Sequence, residues 1–222
     1  MMKNEVFDRT DYNSHGQRIS GNVYNLIIGL VLCYGFLVNW WMVRNVPLSV
    51  ITGIHPIIFF IGYFACCFTG IMIFKKSHSP HISFLGYNLV VVPFGFVINI
   101  VVAQYDSALV VDAIQVTGLV TLTMMLFGTL FPAFFQKIAG ALSIALIAVI
   151  IAELILIFFF KTNPEIIDWI VVVIFCGYIG YDWGRANSIP KTVDNAIDSA
   201  AALYMDIIIL FVRILRIMGR RR

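Results

Sequence analysis

Residues 196–218 read AIDSAAALYMDIIILFVRILRIM. The stretch is long enough to cross a bilayer, which takes about 20 mostly apolar residues over roughly 30 Å of hydrocarbon. Yet it carries Asp198, Asp206, Arg213 and Arg216. A charge near the bilayer centre costs at least about 2.5–3.5 kcal/mol. A helix bearing these groups is poorly suited to face lipid on every side. It is expected at the centre of a bundle, wrapped by other helices that meet the lipid for it.

The rest of the chain supplies those helices. Of 222 residues, 60% are hydrophobic and 12% charged, and the mean hydropathy is +0.92. Soluble domains carry about a quarter charged residues, so this composition belongs to an integral membrane protein. Six further apolar segments have spanning length, at 23–43, 54–74, 84–104, 109–131, 138–160 and 166–182. Arg44 to Pro47 closes the first, Lys75-Lys76 with Ser79-Pro80 the second, and Gln104 to Ser107 the third. Pro132 to Lys137 follows the fourth, and Lys161 to Pro164 the fifth. A polar loop, GRANSIPKTVDN, is expected from Gly184 to Asn195. The reading is an all-α polytopic membrane protein, a seven-transmembrane-helix bundle with the C-terminal helix central. It has a polar N-terminal tail at 1–21, one seven-helix domain over 22–218, and a basic tail at 219–222.

The polar N-terminal stretch has no apolar core and small-residue cleavage site of signal-peptide type. Arg18, Lys75, Lys76, Lys137, Arg185 and Lys191, with Lys3 and Arg9, fall on the N-terminal side of the spans, against Arg44 and Lys161 opposite. The excess of Lys and Arg predicts a cytoplasmic N-terminus. Seven full crossings then put the arginine-rich end, Arg213, Arg216 and Arg220-Arg221-Arg222, on the other side, against the same rule; either that end anchors outside or the last segment does not cross fully. That run reads as an anchor to anionic headgroups.

The net charge of +3 is not gathered into a block suited to nucleic acid. Cys33, Cys66, Cys67 and Cys176 all lie in apolar segments and suggest neither a disulfide framework nor a zinc site. His78 and His81 flank Pro80 in a polar turn and read as solvated. No H-E-x-x-H helix, G-x-S-x-G elbow or phosphate-binding loop is present, so nothing points to an enzyme or a bound cofactor. Gly177 and Gly180, and Ala200-Ala201-Ala202, are small residues suited to close helix packing.

Chemistry is expected from the acidic residues inside the spans. Asp182 ends the sixth segment in GYIGYDWGR, and Asp206 lies mid-way along the seventh. Asp206 stands about sixteen residues beyond the expected turn, roughly 24 Å along a helix. The two carboxyls therefore meet only if the loop dips or the sixth helix ends deep. If they meet, they share one proton, because two carboxylates in a poorly solvated site do not both ionise at low cost. The titration then belongs to the pair. A shared proton joins two helices; its loss leaves repulsion and oxygen ligands for a hard cation such as Ca²⁺. The alternatives are a pairing of Asp182 with Arg185 one turn on, and of Asp206 with Arg213 along its own helix. Glu153, inside the fifth segment, reads either as a group that lines a cation path or pairs with a basic residue elsewhere in the bundle, or as a carboxylate brought near the interface by helix tilt. Asp194 and Asp198 read as partners of the N-terminal dipole of their helix.

The stretch from Gly180 to Gly219 resembles the C-terminal signature of the transmembrane Bax-inhibitor-motif family. The matching pieces are Tyr181-Asp182, the A-x-x-L-Y-x-D from Ala200 to Asp206, and Phe211 with Leu215 and Arg216. Asp112 to Thr117, DAIQVT, is similar to the family's fourth helix. The resemblance implies seven helices around a central last one and a di-aspartyl pH sensor made by Asp182 and Asp206. It also implies a pH-sensitive calcium leak, and the bared oxygens of that pair would then lie on the Ca²⁺ path. With no organelle address visible, the simplest location for the multi-pass chain is the plasma membrane of a bacterium. In bacterial relatives a basic residue near the end of the second helix engages the sixth-helix aspartate. Here Lys75 and Lys76 stand nearest that position, a point charge in place of arginine's planar fork. Expected partners are the bilayer, protons and calcium ions. Rival readings are a non-conducting regulator of another membrane protein, such as a membrane protease, and a proton-coupled cation exchanger.

Overall fold

A computed structural model describes residues 17–162 and 164–220. Among them the chain is all-helical. The order is α1 (Gly21–Asn45), α2 (Leu48–Thr52), α3 (Pro56–Lys76), α4 (Pro80–Val102), α5 (Ser107–Leu130), α6 (Pro132–Phe160), α7 (Glu165–Ser188) and α8 (Val193–Arg220). The ends follow local chemistry. Ser20 accepts from the Val23 N–H at the start of α1, and Asp106 accepts from the Leu109 N–H at 2.8 Å at the start of α5. These side chains replace the carbonyl partners that a first turn lacks. Pro56, Pro80 and Pro132 open α3, α4 and α6, where a missing N–H costs nothing. Lys161, in the left-handed conformation at φ 51°, ends α6.

Six helices, α1 and α3 to α7, have the length and composition to cross a membrane. Their bounds sit close to the six segments read from hydropathy. α8 is long enough at 28 residues, but its charges set it apart from those six. Its apolar side chains are enclosed: Ala196, Ala200, Leu203, Tyr204, Leu210 and Leu215 have no exposed surface. By contrast Phe158, Phe159 and Phe160 on α6 are 69–80% exposed, as lipid-facing side chains are.

Two expectations need correction. The polar loop from Gly184 to Asn195 is mostly helix: α7 runs to Ser188 and α8 begins at Val193. Polar side chains on the last turn of one helix and the first turn of the next resemble a loop in hydropathy alone. The basic tail expected from 219 is likewise helical as far as Arg220. Arg221 and Arg222 lie outside the described residues, as do Lys3, Arg9 and most of the N-terminal tail.

The helices gather into two compact units. The first holds α1 to α4 with residues 188–202, and the second holds α5, α6, nearly all of α7, and α8 from Leu203. In the first, α3 and α4 touch backbone to backbone. A Cβ on Gly70 would stand 2.5 Å from the Gly86 carbonyl oxygen, and one on Gly86 2.8 Å from that of Gly70. Tyr87 donates to the Val31 carbonyl at 3.0 Å and so ties α4 to α1. In the second, Gly128 on α5 meets the Gly180 backbone on α7, and Gly180 in turn faces the Phe135 ring of α6. Phe135, Ala139 and Tyr181 form a buried cluster beside this contact. Gly177 and Gly180 thus act as the close-packing surface of α7, with Leu142 of α6 over Gly177.

Candidate functional site

α7 and α8 are the helices that carry acidic groups into the apolar interior. Asp182 is 8% exposed and Asp206 7%. The two carboxyls lie within electrostatic and hydrogen-bonding reach of one another. A carboxylate only accepts, so a hydrogen bond between them requires one of the two to hold a proton. Asp182 lies roughly 9 Å before the end of α7, and Asp206 roughly 20 Å into α8. The four-residue link between the helices, Ile189 to Thr192, turns where the Thr192 N–H donates to the Pro190 carbonyl at 3.1 Å. Tyr178, one turn before Asp182, lies within the electrostatic reach of both carboxyls, and its hydroxyl donates to Ser143 Oγ at 3.2 Å.

Further along the same two helices stands a second polar group. Arg213 donates to both oxygens of Glu153 on α6, at 2.8 Å each, and to Asp168 on α7 at 2.8 Å. Arg216 reaches Asp168 at 3.1 Å and Glu153 at 3.5 Å, and Arg220 reaches Asp168 at 3.0 Å. The Asp168 side chain has no exposed surface. A carboxylate so buried is tolerable only when cations surround it, and three guanidiniums do. Arg213, Arg216 and Arg220 follow one another at three- and four-residue spacing, which puts them on one side of α8. Asp206 belongs to that side as well.

This network corrects the anchor reading for three arginines of that end; Arg221 and Arg222 lie outside the described residues. Arg213, Arg216 and Arg220 are bound to carboxylates rather than held in reserve for headgroups. The network also gives Glu153 basic partners, and it engages Arg213 with Glu153 and Asp168 rather than with Asp206. Asp168 escaped the sequence reading. It stands in the first turn of α7, where an acid is ordinary, and its importance shows only from the arginines it meets. Their spacing was the available signal.

The remaining candidates lie elsewhere. Lys75 and Lys76 close α3 in the first unit, in the last turn that favours basic side chains. Arg185 is half-buried near the end of α7. Asp198 is buried near the start of α8, in the part belonging to the first unit. There Thr192 Oγ1 accepts from the Asn195 N–H at 3.2 Å and caps the helix, and Asp194 accepts from Ser83 of α4 at 2.6 Å. Tyr24 of α1 joins Ser199 at 3.0 Å, and Lys191 lies over the Tyr24 ring at 4.6 Å. Burial pushes the Lys191 ammonium below its ordinary pKa.

Among the described residues no three His, Cys, Asp or Glu side chains converge as a metal site. Asp182 and Asp206 alone offer fewer oxygens than the six to eight that Ca²⁺ takes.

The family model described as inhibitor of apoptosis-promoting Bax1 matches residues 17–222. A Bax inhibitor 1 of Schizosaccharomyces pombe is 26% identical over 172 residues, which cover 74% of this chain and 62% of that protein. The chain thus matches less than two thirds of the length of that curated relative.

Proposed function

This chain belongs to the Bax inhibitor family, and from that premise we propose that it is a multi-pass membrane protein that leaks cations, Ca²⁺ foremost, under the control of the Asp182–Asp206 proton. In this reading α8 is the seventh crossing. One observation carries the proposal: the two carboxyls are buried and lie within reach of one another across α7 and α8. While the proton is present the pair joins the helices. When it leaves, two negative charges face one another in a medium that screens them poorly, and the helices separate. The bared oxygens then become transient ligands for a hard cation.

The test is Ca²⁺ flux into liposomes containing only the purified protein, followed across pH. Flux should rise as pH rises, and Asp206→Asn should remove that dependence. A variant that titrates like the wild type rejects the gate. Absence of flux at every pH rejects conduction and favours the non-conducting regulator, a role to which the relative's name, Bax inhibitor 1, lends support. Flux that saturates and follows an opposing proton gradient indicates exchange.

A further inference from the structure

Arg213 stands two turns beyond Asp206 on the same side of α8, about 10 Å along the axis. Helix side chains lean towards the N-terminus, so a released Arg213 leans towards Asp206. A guanidinium there would give Asp206 a cationic partner and remove its need for a proton. In the structure Arg213 is held away by two acids from two other helices: both oxygens of Glu153 at 2.8 Å and Asp168 at 2.8 Å.

Building on the reading of the aspartate pair given above, we propose that Glu153 and Asp168 are positioning residues that sequester Arg213, and so leave Asp206 to share its proton with Asp182. The groups facing Asp206 agree with this role. From α7 they are Asp182 and Tyr178, neither of them a cation, and the Tyr178 hydroxyl is engaged by Ser143. The groups facing Arg213 are Glu153 of α6 and Asp168 of α7, and Arg216 competes for both acids. Glu153 supplies two of the three bonds to Arg213, whereas Asp168 is shared among three arginines. Loss of the Glu153 charge therefore takes two of its three bonds from Arg213, the arginine nearest Asp206 on α8, and more than from either of the other two. Charge-assisted hydrogen bonds are the strong ones, and the nearest remaining carboxyl on its own helix is Asp206.

The test reads the proton itself. Infrared absorption of protonated carboxyls is recorded on the full chain in lipid nanodiscs across pH, with Asp206→Asn used to identify the Asp206 band. In Glu153→Gln the midpoint of that band should fall by about one to three pH units, the size of effect a nearby opposite charge has on a carboxyl. Adding Arg213→Gln should return it to the wild-type midpoint, which a merely structural role for Glu153 would not do. Asp168→Asn offers a second route should Glu153→Gln fail to fold. An unchanged midpoint, no return in the double variant, or no Asp206 band in the wild type overturns the proposal. Ca²⁺ flux measured on the same samples keeps the two ideas apart. If wild-type flux ignores pH, the gate fails, while the infrared midpoints still decide whether Arg213 is sequestered.

Discussion

The Asp182–Asp206 contact and the network of Glu153, Asp168, Arg213, Arg216 and Arg220 lie on the same two helices, and each buries carboxylates. They are held by different means. In the network, guanidiniums that stay charged at any ordinary pH surround the acids. In the proposed gate the group facing Asp206 is another acid, Asp182, and a shared proton would do the joining. The first is a fixed bolt; the second, on the function proposed above, opens and closes with pH. What faces a buried carboxyl, and not burial alone, then decides whether it senses pH.

Breaking the bolt should have the largest effect. Asp168→Ala leaves Arg213 and Arg216 to share Glu153 and takes from Arg220 its carboxylate, and loss of one partner in a buried ionic group costs about 3–5 kcal/mol. Thermal unfolding in detergent should show it as the most destabilised variant of the series. Next comes the surface that seats α7. In Gly128→Ala the new Cβ meets the Gly180 backbone, which cannot turn aside as a side chain can. Overpacking of this kind costs about 1–3 kcal/mol, read from the same unfolding curves. Tyr178→Phe loses only the bond to Ser143, about 0.5–1.5 kcal/mol. Asp206→Asn should be the mildest in stability, since its amide still donates to Asp182. Yet it should be the variant whose stability and flux no longer change across the gating range. A strong destabilisation by Asp206→Asn, or a pH-dependent loss in Asp168→Ala alone, would reverse the comparison.

The two regions also differ in how well the sequence disclosed them. Hydropathy located the six spans because lipid demands long apolar runs, and it set α8 apart because that run is broken by charge. Asp182 and Asp206 stood out for the same reason, as acids with apolar neighbours. Their meeting was harder to foresee. It depends on the four-residue link between α7 and α8, where polar residues at two helix ends imitated a longer loop. Asp168 was hidden by its ordinary position at a helix start. Ionic partners far apart in sequence, such as Glu153 and Arg213, leave no local pattern; only the spacing of Arg213, Arg216 and Arg220 hinted that one side of α8 awaited counter-charges. The glycines were legible as small, but not which backbone each would meet.

The account turns on a movement of α7 against α8 when one proton leaves. Spin labels placed at Trp183 and Met205, each beside one of the aspartates and each partly exposed, report that separation directly in lipid. The account predicts a short distance at acid pH that lengthens as pH rises through the midpoint of Ca²⁺ flux, and a distance independent of pH in Asp206→Asn. A single unchanging distance in the wild type across that range would contradict it.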